Sequence, residues 1–136
     1  MARACLLSAC LRSARPNAMW ITLAWLALVF VHTPPALATF SPALRRRMYG
    51  VDENPQLAVI LTHRGVLFLA VASVCAYAAF APAAREAASI VAAISVIGFL
   101  LIYAGARFPK GPLRSIALAD AIALIPLAGG VRDAWV

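Results

Sequence analysis

Four ionisable side chains interrupt otherwise apolar stretches of this chain: His32, the adjacent pair His63 and Arg64, and Asp120. Histidine titrates near neutrality, and beside a carboxylate it suits proton handling. Guanidinium binds carboxylate through two parallel hydrogen bonds, so Arg64 with Asp120 is the natural ion pair, with His32 and His63 donating or accepting around it. Arg64 could instead reach back along its helix to Glu53. The chemistry open to this set is narrow. It can bind a proton, a quinone-like headgroup or a small polar or anionic ligand, or it can act as a staple that fixes helix register. No nucleophile stands with a base, and two histidines with scattered acids fall short of a coordination pattern. The sequence therefore predicts no catalytic residue, no metal site and no cofactor.

The elements that must carry these residues are set by composition. The chain has 136 residues, of which 64% are hydrophobic and 12% charged, and its mean hydropathy is +0.89. A soluble domain carries about 25% charged residues. A chain this short cannot hide so much apolar surface in one core, so lipid is its solvent. The net charge of +7 is almost all arginine, with Lys110 the single lysine. These basic residues sit between apolar segments, which points to topology and lipid headgroups, not nucleic acid. Cys5, Cys10 and Cys75 show neither C-x-x-C nor metal spacing, and Cys75 reads as a small core residue.

Four apolar segments follow in order. Residues 1–18 form an arginine-rich N-terminal extension, and Met19 is an alternative start. Met19 to Val31 is either a short spanning helix that continues to about residue 33 and is stopped by Pro34-Pro35, or the apolar core of a signal peptide cleaved after Ala36-Leu37-Ala38. Residues 36–56 make a connector in which Arg45, Arg46 and Arg47 precede Met48-Tyr49-Gly50, the pattern of a short helix at the headgroup level. Asn54 is placed to cap the next helix, with Pro55 at its first position and the acids Asp52 and Glu53 near its dipole. The second span covers residues 55–80, the third 87–106 and the fourth 113–131. The predicted fold is all-α, a four-transmembrane-helix antiparallel bundle with short connections.

Counting basic residues gives six on the side of the first and third loops. The opposite side has two if translation starts at Met19 and five if it starts at Met1. The positive-inside tendency then places the basic loops in the cytoplasm for the short start, whereas a cleaved signal peptide reverses the orientation. His63 lies eight residues after Pro55, and Asp120 eight after Pro112. Both helices enter from the same side, which sets both groups about 12 Å in. His32 ends span 1 on that side too. All four groups can converge in one half of the membrane, where an unpaired lipid-facing charge costs about 2.5–3.5 kcal/mol.

Other residues read as supports. Trp20, Trp25 and Trp135, with Tyr77 and Tyr103 at span ends, are expected to be interfacial anchors. Arg45, Arg46, Arg47 and Tyr49 are expected at the lipid interface, and Pro126 is expected to kink span 4. Alanines four apart (Ala72 and Ala76; Ala84, Ala88 and Ala92; Ala117 and Ala121) let helices approach closely.

Tyr49-Gly50, Asn54-Pro55, Leu57, His63-Arg64 with Leu67-Phe68, and Asp120 after a small residue make residues 40–125 resemble a family of small, uncharacterised bacterial four-helix membrane proteins. The architecture is similar, more loosely, to DoxX-type proteins. The resemblance implies an inner-membrane bundle of unassigned function. Members of such families are sometimes labelled phosphopantetheine adenylyltransferase, but those enzymes are soluble α/β proteins with an H-x-G-H motif. Here His63-Arg64-Gly65-Val66 lacks the second histidine and lies within a span. The leading expectation is a non-enzymatic multi-pass protein whose polar cluster (His32, His63, Arg64, Asp120, Glu53) is structural or accessory to a membrane complex. The alternative is a proton-, quinone- or small-ligand-handling protein, and a third reading is a membrane enzyme. Expected partners are membrane lipids and a membrane protein or a second copy, with no nucleic acid.

Overall fold

The computed structural model describes residues 17–51 and 54–136, with side chains from Met19 onward. Among the described residues there are five α-helices and no strand: α1 Asn17–Leu37, α2 Pro42–Tyr49, α3 Pro55–Phe80, α4 Arg85–Gly105 and α5 Pro112–Trp135. α1, α3, α4 and α5 are each long and apolar enough to cross a membrane. This is a multi-pass helical membrane protein with an antiparallel four-span bundle. α2 is the short helix read into the connector.

Proline sets several of the starts. Pro42, Pro55 and Pro112 each open a helix where a missing N–H is harmless. Asn54 caps α3 as its sequence position implies, its side-chain oxygen accepting from the Leu57 amide at 2.8 Å. Ser41 does the same for α2, accepting from Leu44. Gly50 ends α2 at φ 64°, the left-handed conformation that favours glycine. Pro34 and Pro35 do not stop α1 near residue 33. The helix runs through both to Leu37, within its last turn, where proline's fixed φ is compatible with the helix. A single 3₁₀ turn, Ala38–Phe40, then leads to α2. α5 is likewise continuous through Pro126.

The spans pack in a ring in the order α1, α3, α4, α5, so α1 faces α4 and α3 faces α5 across the middle. The core, centred on Trp25, Leu28, Cys75, Val96 and Leu127, is filled out by alanines 78, 79, 88, 92 and 123. These alanines are the small-residue contacts that close packing in lipid requires. Of the predicted pairs, Ala88 and Ala92 are fully buried, whereas Ala121 faces outward. Trp25 is not an interfacial anchor. It is fully buried, and Gly130 leaves room for its indole, since a Cβ there would lie 3.1 Å from the ring. Alanine and glycine neighbours leave a volume that a large ring fills. Trp20, Trp135 and Tyr77 are exposed, in keeping with anchors. Tyr103 differs from that reading: it is buried, and its hydroxyl donates to the Pro109 carbonyl at 2.9 Å, tying α4 to the next loop.

The end of the bundle away from the basic loops is closed by polar contacts. Arg85 pairs with Asp133 at 2.7 Å and donates to the Ala78 carbonyl near the C-terminus of α3. Trp135 donates to Ser89.

Candidate ligand site

The opposite half, toward the basic loops, holds the ionisable residues. His32 is buried on the inner face of α1. Its Nδ1 lies 2.7 Å from the Leu28 carbonyl, and its Nε2 3.1 Å from Ser95 Oγ on α4. A carbonyl only accepts, so Nδ1 carries a hydrogen. In the neutral ring Nε2 is then a lone pair, and Ser95 donates to it. This bond crosses the ring of helices from α1 to α4. Phe68 of α3 lies against the imidazole, with ring centroids 5.8 Å apart.

Arg64 occupies a cage of aromatic rings. Its guanidinium carbon lies 5.8 Å from the Tyr49 ring centre, 5.3 Å from Phe68 and 5.4 Å from Phe99. Each ring face attracts the cation, more strongly where water is excluded. Arg64 Nε is buried without a hydrogen-bond partner. Burial pushes the Tyr49 phenol above its usual range, with the Arg64 charge acting in the opposite direction, so the ring stays a neutral wall.

Arg64 and Asp120 are not paired. Among the described residues the ion pair within 4 Å is Arg85 with Asp133 alone. The expected partners stand on opposite helices, α3 and α5, and do not come within 4 Å, although the Arg64 charge still reaches the Asp120 carboxylate. Asp120 is 7% exposed and has no hydrogen-bond partner among the described residues. His63 does not join the cluster either. It is exposed on the outer face of α3 beside Val59, Thr62 and Val66. Neighbours in sequence point about 100° apart around a helix, and here Arg64 takes the inward direction. Glu53 lies outside the described residues. The arginine run also divides: Arg46 and Arg47 are exposed, while Arg45 is buried and donates to the carbonyls of Ala38 and Thr39 at 3.0 and 3.2 Å. Tyr49 is buried, with its ring against the half-buried Arg64. Ser95, Phe68 and Phe99 were not candidates on sequence. The signal that could have flagged Phe68 is its position one helical turn after Arg64.

Two cavities flank the His32–Ser95 bond. One is a groove of about 700 Å³ between α3 and α4, lined by Arg64, Phe68, Ser95, Phe99 and Tyr103 and otherwise apolar. It runs from Ala106 and Pro109 at the basic-loop end down to Val71 and Val91. The second, about 510 Å³, lies among α1, α2 and α5 and is lined by His32, Arg47, Ser115, Asp120 and apolar neighbours. Phe68 borders both. Fold and site together define a multi-pass helical membrane protein with a cationic, aromatic-walled groove. No family model, curated protein or solved structure matches the chain.

Proposed function

We propose that this protein is a lipid-binding bundle that draws an anionic phospholipid into the α3–α4 groove, with its phosphate at Arg64. One observation carries the reading: a caged guanidinium with no hydrogen-bond or ion-pair partner among the described residues heads a long apolar groove. An unpaired charge at this depth is costly, and an anionic headgroup supplies the missing partner. The groove's volume is that of a ligand site. Its length suits an acyl chain. From Val91 to Ala106 the helix rises about 22 Å, against about 15 Å for the hydrocarbon of one leaflet. The head would then lie near the basic loops and the tail along Val71 and Val91. The six basic residues on that side favour an anionic leaflet. With the resemblance to small bacterial membrane proteins, this supports a bacterial inner-membrane protein with its basic loops in the cytoplasm.

Native mass spectrometry of the purified protein, offered phosphatidylglycerol or phosphatidylcholine of matched chains, tests the reading. Preferential phosphatidylglycerol adducts that Arg64→Gln abolishes, with helical content retained, support it. Equal adducts, or a preference that survives Arg64→Gln, overturn it. Oleate or a short-chain ubiquinone binding in place of phospholipid would assign the groove to a fatty acid or a quinone.

His63 favours a second, compatible reading, that of a partner helix. A polar ring exposed on the outer face of a spanning helix is better accommodated against protein than lipid. In a cysteine-free background, His63→Cys should cross-link in native membranes to a second copy or to another membrane protein. If it labels only with lipid-phase reagents, that face is free.

A further inference from the structure

The cavity around Asp120 lies outside the lipid groove and shares Phe68 with it. Its carboxylate is almost fully buried in a spanning helix and has no hydrogen-bond partner among the described residues. An aspartate so placed is destabilising unless it has work to do. The base that shares its cavity is His32, and His32 is also the group that reaches the lipid groove, through Ser95.

The geometry of the imidazole decides what a proton does here. Nδ1–H is committed to the Leu28 carbonyl, so Nε2 is the only place on the ring for an added proton. While Nε2 is a lone pair it holds the Ser95 hydrogen, and the hydroxyl faces away from the groove. Once Nε2 is protonated, it must donate to Ser95 Oγ. The hydroxyl hydrogen is then displaced from that line and turns toward the groove that Ser95 also lines. Loading one proton on His32 thus creates one new donor in the groove that Arg64 also lines.

We infer that the Asp120–His32 cavity is a proton-binding site, and that a proton taken up there strengthens the hold of the groove on an oxygen-rich anionic head. This rests on the lipid-binding reading above. No bond other than those to the proton is made or broken: the proton comes from water on the basic-loop side, resides on Nε2, and returns the same way. The charged groups around His32 come from three helices. Asp120 on α5 and Arg47 on α2 line the same cavity, Arg64 on α3 lies on the other side of Phe68, and α4 contributes the neutral Ser95. By linkage, a bound phosphate raises the proton affinity of the site as much as the proton raises lipid affinity.

The test uses the full protein in liposomes and spin-labelled phosphatidylglycerol, whose phosphodiester does not titrate between pH 5 and 8. Spin-labelled phosphatidylcholine serves as reference. The wild type should hold phosphatidylglycerol more tightly at pH 5 than at pH 8, by up to about tenfold, the worth of one hydrogen bond. Asp120→Asn, which lies outside the groove, should hold phosphatidylglycerol at pH 8 at least as well as the wild type and lose the gain at pH 5. Ser95→Ala should bind no more tightly at pH 5 than at pH 8. A wild-type preference that is flat with pH overturns this inference and leaves the lipid reading intact. No preference at either pH overturns the lipid reading itself. If Asp120→Asn does not fold, the comparison of wild type with Ser95→Ala decides alone, and an undiminished gain in Ser95→Ala overturns the coupling.

Discussion

His32 and Ser95 meet at 3.1 Å across the middle of the bundle with Phe68 beside the imidazole, and Arg64 and Asp120 form no ion pair within 4 Å. A basic and an acidic group that the sequence pairs are instead each turned to a cavity of its own. The neutral imidazole does the structural work that an ion pair was expected to do. It ties α1 to α4, and its other nitrogen is anchored in its own helix at the Leu28 carbonyl.

That division gives the two histidines opposite weights. His32→Ala removes both hydrogen bonds and leaves a hole in the core, which should cost about 2–4 kcal/mol in thermal unfolding in detergent. His63→Ala, on the exposed face, should stay within about 0.5 kcal/mol of wild type. In a double-mutant cycle, His32→Ala and Ser95→Ala should couple by about 1 kcal/mol. If the two substitutions are simply additive, the bond across the bundle carries no stability.

The separation of Arg64 from Asp120 makes a charge swap informative. Arg64→Asp and Asp120→Arg should each destabilise the protein, and the double exchange should not recover the loss. Recovery of most of the lost melting temperature in the double variant would mean that the two side chains do pair in the membrane.

How far the fold was legible follows from which physical signals are local. Span positions were, because hydropathy and the breaks at Asn54-Pro55 and Pro112 lie within each segment. The short helix in the connector was legible from Arg45 to Tyr49, whose buried side chains were not. The direction each side chain takes around its helix depends on which helices are neighbours, and one sequence does not state that. His63 and Arg64 are adjacent, yet one faces out and the other in. Ser95 is a lone hydroxyl in an apolar run, and its partner is 63 residues away. Trp25 looked like an anchor because nothing near it in sequence reveals that Gly130 of another helix accommodates its ring. The convergence of His32, Arg64 and Asp120 on one half of the bundle was legible from their distances to the helix starts; their pairing was not.

Gly65 allows the 3₁₀ turn to lie directly on α3. A Cβ at that position would collide with Thr39 Oγ1 and lie 3.1 Å from the Pro35 carbonyl and the Thr39 amide. Backbone atoms cannot yield cheaply, so Gly65→Ala should lose about 1–3 kcal/mol. Gly129→Ala meets nothing within 4 Å and lies inside α5, so it should instead gain about 0.5–1 kcal/mol from the stiffer unfolded chain. Chemical or thermal unfolding followed by circular dichroism reads both. Equal effects at the two glycines would mean that the turn does not contact α3 as described.

The burial of Trp25 can be separated from the exposure of its two counterparts because the chain has only 3 tryptophans. With Trp20 and Trp135 replaced by phenylalanine, the remaining emission comes from Trp25, buried in the core that α1 forms with α3, α4 and α5. Brominated acyl chains should quench it far less than they quench a variant that keeps Trp20 alone, since Trp20 is 66% exposed and Trp25 0%. Aqueous iodide should leave it nearly untouched as well. Trp25→Ala removes the largest buried side chain of the core and should cost about 3–5 kcal/mol. Strong quenching of Trp25 by the brominated lipid would place its ring at the bilayer after all and would require α1 to be turned about its axis.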